Sequence, residues 1–188
     1  MGLAERFTKG VPKEEMIKSN VHITPQLRSR ISSEFLYELD RKVRSVIKLF
    51  PELDADRIEI GLTRAMFFSA IARTKLKDRI KIAINPLYPV TYFTLGHELT
   101  HFAQHLDGDK KEIPYGEVQS DVWTIARNEL FLDSPPSYLK VPKHIYDNWS
   151  ECSKHVRELC IQAIEIRKTK REYLKWLESQ LTVLWKRL

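Results

Sequence analysis

The sequence has only two cysteines in 188 residues, no long apolar run, no internal repeat and no low-complexity tract. Each lack removes a class of protein. Cys152 and Cys160 lie eight apart in a strongly helical stretch, which would hold their Cα atoms about 12 Å apart, whereas a disulfide needs roughly 4.4–6.8 Å. They read as buried thiols of a reducing compartment. The apolar runs fall far short of the ~20 residues that span a membrane, and the opening "MGLAERFTKG" lacks the apolar core of a secretory signal. Arg6 stands where a myristoylation pattern needs Ser or Thr. A cytoplasmic protein with no membrane partner is expected.

What is present suffices for one compact core, since 43% of the residues are hydrophobic. The formal charge is +6, from 31 Lys and Arg against 25 Asp and Glu. Such a balance permits a nucleic-acid partner without favouring one, because most of the basic residues alternate with acids as on an ordinary solvated surface.

The hydrophobic pattern predicts an α+β fold. The first 25 or so residues have no sustained period and read as a partly ordered arm. From Gln26 to Phe50 the pattern turns helical, with Leu36, Leu39, Val43, Val46, Ile47 and Phe50 forming an apolar stripe that should stop before Pro51. Three strand-like runs follow, "RIEIGLT", "MFFSAIA" and "RIKIAIN"; the first and last alternate with the period of a sheet buried on one face. The polar "RTKLKD" joins the second and third as a hairpin loop. A helix carrying "TLGHELTHFAQH", a turn-rich stretch, and a second helix over "EVQSDVWTIARNELFL" come next. A proline-bearing stretch then leads to a long helical region from about Ile145 to Leu188, whose apolar stripe thins at "RKTKR". The economical division is a domain over 1–139 and a helical appendage over 140–188 that packs on the domain or occludes its cleft.

His97 and His101, four apart on a helix, project from one face with Cβ atoms about 5–6 Å apart. Glu98 is turned about 100° away, too far to share an ion with them but placed to reach a water beside it. This is the mechanical sense of His-Glu-x-x-His: two metal ligands and a general base. Random placement of this composition would produce the pentapeptide about 2% of the time, so a core helix with hydrogen-bonded histidines is the bland alternative. A catalytic zinc needs a third protein ligand and an open position. His105 does not serve, because a straight helix carries it about 12 Å from His97, and no glycine turns the chain before it. Glu117, which opens the next predicted helix, is better placed. Asp121, four further on, can accept the spare N–H of a ligating imidazole. Thr94 would cap the motif helix if the helix begins there, with Leu95, Leu99, Phe102 and Leu106 on its core side.

"HELTH" followed by "GEVQSD" resembles the gluzincin metallopeptidases, and the small size, the strands before "HELTHFAQ" and the run from Gly116 to Leu139 look most like the minigluzincins. The resemblance covers roughly Arg57 to Leu139. It implies a zinc metallopeptidase with His97, His101 and Glu117 as ligands, Glu98 as general base towards a zinc-bound water, Asp121 behind the ligands, and peptide or unfolded protein as substrate. It also implies a latent form, with "SPPSYLKVPKHIYDNW" lying in the cleft. The strand "RIKIAIN" is expected to form the cleft's upper rim. Tyr138, His144 and Tyr146 are downstream candidates for an oxyanion donor, none of them preferred. Two alternatives stay open: a zinc-stabilised scaffold that forms homo-oligomers or other assemblies through its C-terminal helices, and a DNA-associated protease similar to the SprT-like group, which uses a third histidine.

Overall fold

The computed structural model describes residues 20–53, 57–64, 70–72, 80–106 and 112–187. The expected hairpin loop over Lys75, most of the "MFFSAIA" run and the arm before Asn20 lie outside these residues.

The fold is α+β, as the hydrophobic pattern predicts. The strands are β1 (Asn20–Ile23), β2 (Arg57–Leu62), β3 (Ala70–Ala72) and β4 (Ile80–Ile84), in the order β1-β2-β4-β3. β1, β2 and β4 are parallel and β3 is antiparallel to β4. Three of these strands come from the runs read in the sequence. The fourth, β1, comes from the end of the arm, where Val21 and Ile23 pair with Ile58 and Ile60. The order also corrects the expected cleft rim. β4 has β2 on one side and β3 on the other, so its backbone groups are already engaged, and among the described residues β3 is the outer strand on that side.

The helix expected over 26–50 is two helices, α1 (Pro25–Arg28) and α2 (Ser33–Ile47). The break has a local cause: Ser32 has an extended backbone and its hydroxyl accepts from the Phe35 amide at 3.1 Å, starting a new helix rather than continuing the old one. The motif helix is α3 (Tyr92–Leu106), which starts earlier than a Thr94 cap would allow. Thr91 takes that role, its hydroxyl accepting from the Thr94 amide at 3.0 Å, while the Asp133 carboxylate accepts from the amides of Tyr92 and Phe93 at 2.6 and 2.9 Å. Leu95, Leu99 and Phe102 are buried as expected. Val43 and Val46 of α2, Leu95 and Leu99 of α3, and Ile58 and Ile82 of the sheet line one interior space, which places both helices on the same face of the sheet.

The next helix, α4 (Glu117–Arg127), packs against α3 and stops before its expected end. Asn128 is extended, and its side chain accepts from Leu130 N at 2.9 Å to begin a 3-10 turn over Glu129–Leu132. The C-terminal region divides into α5 (Lys143–Asp147), α6 (Trp149–Arg167) and α7 (Tyr173–Trp185), broken where the stripe thins. α6 packs on α4 and α7 on α6, so one apolar cluster runs from Ile23 through Val122 and Val156 to Leu181, across the 139/140 boundary. Among the described residues no helix is long and apolar enough to cross a membrane.

Candidate metal centre

α3 and α4 approach closely because their facing positions are small or hydroxylated. A Cβ at Gly96 would stand 2.5 Å from the ring of Phe131 and 2.9 Å from Thr124 Cγ2, so only glycine fits there. The Thr100 and Thr124 hydroxyls meet at 2.8 Å, and Ser120 Oγ donates to the His97 carbonyl at 2.9 Å. Gly116, at φ +128, occupies the left-handed region that admits glycine readily, and it turns the chain into α4 so that Glu117 opens the helix.

These contacts bring three of the sequence-predicted residues together. His97 Nε2, His101 Nε2 and Glu117 Oε2 form a triangle with all three edges at 3.1 Å. The two imidazole rings meet edge to face, 4.8 Å between centroids. Four-coordinate zinc with bonds of about 2.0–2.1 Å places its ligand atoms roughly 3.3 Å apart. The edges, and the set of two imidazole nitrogens and one carboxylate oxygen, therefore fit such an ion, with one position left to solvent or substrate. His97, His101 and Glu117 are close enough to bind a metal ion together, and they are the one such group among the described residues.

Asp121 stands where the sequence placed it, with a duty the sequence did not indicate. One oxygen lies 2.8 Å from His97 Nδ1; the other accepts from the amides of Tyr138 and Leu139 at 2.6 and 2.7 Å. The carboxylate oxygens accept, so the Nδ1–H tautomer of His97 is the one that donates to Asp121, and that tautomer directs an Nε2 lone pair at the triangle. Burial opposes protonation of His97, but the hydrogen bond and charge of Asp121, aided by Glu98 and Glu117, outweigh it and hold its pKa above the usual histidine value.

The centre is open on one side. The His97 side chain is buried, His101 is partly exposed, and the Glu117 side chain is 49% exposed. Glu98 is buried on the next position of α3, and its charge is felt at both His97 and Tyr138. Of the three downstream candidates, Tyr138 is at the centre, stacked on the His97 ring at 5.6 Å. Burial, then the charges of Glu117, Glu98 and Asp121, raise its phenol pKa. His144 and Tyr146 are exposed on α5 and do not join the group. His105 sits with its ring 5.3 Å from Tyr115, also outside it.

Two contributors were not singled out from the sequence. Gly96 could have been suspected only as a small residue in an apolar helix. Gln104 is a buried amide one turn beyond His101. Comparison with models of known protein families, with characterised proteins and with solved structures found no match in any of the three, so the chemistry of the centre rests on its own residues.

Proposed function

We propose that this protein is a zinc-dependent metallopeptidase of the gluzincin type, which hydrolyses bonds within peptides or unfolded proteins. His97, His101 and Glu117 hold the ion and Glu98 is the general base. One observation carries the reading: three ligand atoms converge at 3.1 Å beside a glutamate that the same helix fixes one residue beyond the first ligand. A zinc ion held there supplies a Lewis acid for a carbonyl oxygen and lowers the pKa of a water.

The remaining work falls to the chain. Asp121 keeps His97 in the ligating tautomer and Glu117 closes the triangle from α4. Glu98 takes a proton from the attacking water and returns it to the leaving amine. Substrate reaches the centre from the exposed Glu117 side. β3 packs beside α3 and, among the described residues, is hydrogen-bonded on its β4 side alone; an extended peptide can add to its outer edge through backbone bonds, with loose sequence preference.

Metal analysis of the full chain beside Glu98→Ala and Glu117→Ala, with an unfolded protein as substrate, tests this. Stoichiometric zinc is expected in the wild type and in Glu98→Ala and is lost in Glu117→Ala, with hydrolysis abolished in both variants. A wild type that binds no zinc sinks the reading. A wild type that holds zinc tightly and cleaves nothing supports the scaffold instead.

A further inference from the structure

Gln104 is 2% exposed, and the two ends of its side-chain amide have different partners. The nitrogen lies 2.7 Å from the Pro114 carbonyl oxygen and 3.3 Å from that of Gly116. Carbonyl oxygens only accept, so the NH₂ end must face them. That sets the amide's orientation and leaves Oε1 at 2.9 Å from His101 Nδ1. The amide oxygen also only accepts, so His101 must carry its hydrogen on Nδ1, and its Nε2 lone pair points at His97 and Glu117. A neutral histidine side chain free in water favours the opposite tautomer, with the hydrogen on Nε2.

We propose that Gln104 is a positioning residue for the centre: one amide holds His101 in the ligating tautomer and, through Pro114 and Gly116, ties down the turn that delivers Glu117. Two of the three ligands are thus set by one side chain. Its part parallels that of Asp121, which serves His97 and the Tyr138–Leu139 backbone together. The effect on zinc affinity rests on the metallopeptidase reading; the tautomer does not.

Nitrogen-15 NMR of His101 tests this in the full-length, metal-free protein at about pH 8.5, above the ordinary imidazole pKa. The spectra are recorded for the wild type, Gln104→Leu and Gln104→Glu, with zinc affinity measured in each by competition with a chelating dye. The wild type should show the hydrogen on Nδ1. Gln104→Leu should move it to Nε2 and weaken zinc binding about 10–100-fold. Gln104→Glu keeps an acceptor and should keep the wild-type tautomer, while its lost donation to the turn leaves an intermediate affinity. A wild type with the hydrogen on Nε2 overturns the proposal whether or not the variants fold, as does a Gln104→Leu protein with unchanged tautomer and affinity. If the wild type has the Nδ1 hydrogen but binds no zinc, the tautomer assignment is upheld and the metallopeptidase reading falls.

Discussion

Two helix pairs in this molecule are packed by opposite means. Where α3 meets α4, buried polar groups reach across in hydrogen bonds: Thr100 with Thr124, Ser120 with the His97 carbonyl and Asp121 with the His97 ring. Along α6 and α7, which pack on each other, the buried side chains are mostly apolar, Val156, Cys160, Ala163, Leu177 and Leu181 among them. Apolar burial has no preferred direction and tolerates small shifts, so it suits a region whose task is to hold the fold together. Hydrogen bonds weaken steeply when bent or stretched, and they bring the α3 and α4 ligand atoms to one spacing. The difference suggests that the polar seam governs metal binding and the apolar hairpin governs stability.

The largest effect that would sharpen this contrast lies in the hairpin. Leu177→Ala empties a fully buried position and should cost about 2–5 kcal/mol in denaturant unfolding, while zinc affinity of the folded variant stays at the wild-type value. A large fall in affinity would break the contrast. Gly96→Ala comes next, since its new methyl must displace the Phe131 ring or part α3 from α4. About 1–3 kcal/mol of destabilisation is expected, this time with weaker zinc binding, because Glu117 is carried away from the histidines; dye competition reads the second effect separately. Thr124→Val removes one side of the Thr100 hydroxyl pair but leaves Thr100 donating to the Gly96 carbonyl. The cost should be about 1 kcal/mol in thermal unfolding.

The smallest effects in the ordinary working range come from pH, and the two regions respond in different windows. Tyr173 is buried with no hydroxyl partner among the described residues, and burial pushes its phenol up to about 12. A folded pKa above the unfolded value of about 10 means that the contribution of Tyr173 is complete below pH 10 and lost as pH climbs towards 12. In the metal-free protein His97 is likewise raised, so its contribution is complete below about pH 6.5 and disappears as pH rises through the folded value. Urea unfolding across pH, with and without zinc, checks both. Tyr173→Phe should flatten the alkaline limb, and zinc should cancel the fall near neutrality by taking the place of the proton.

Much of the centre was legible because helical spacing is local. The order of His97, Glu98 and His101 marked two candidate ligands and a candidate base, and a carboxylate pair opening the next helix marked Glu117 and Asp121; the structure brings His97, His101 and Glu117 into one group close enough to bind a metal ion. The expected contact of Asp121 with a motif histidine is present, yet its hold on the Tyr138 and Leu139 amides could not be read, since backbone donors leave no mark in a sequence. Gln104 was missed for a related reason: an amide within an apolar helix looks the same whether it faces solvent or bridges two elements. β1 escaped notice because four residues are too few to display a period, and only parallel pairing with β2 makes them a strand. The helix over 26–50 was drawn too long because Ser32 can continue a helix or cap one, and its extended backbone decides for the cap.

By itself the sequence determined the α+β class, the face of each long helix that would be buried, and the donor types that could meet at a metal, because these follow from periodicity and side-chain chemistry within one element. Only the tertiary structure decided that β3 rather than β4 is the outer strand among the described residues, that α4 comes near enough for Glu117 to complete the triangle, and which end of the Gln104 amide faces His101. Each of these depends on contacts between chain segments that are separated in sequence, and the close packing that sets them is a property of the assembled core.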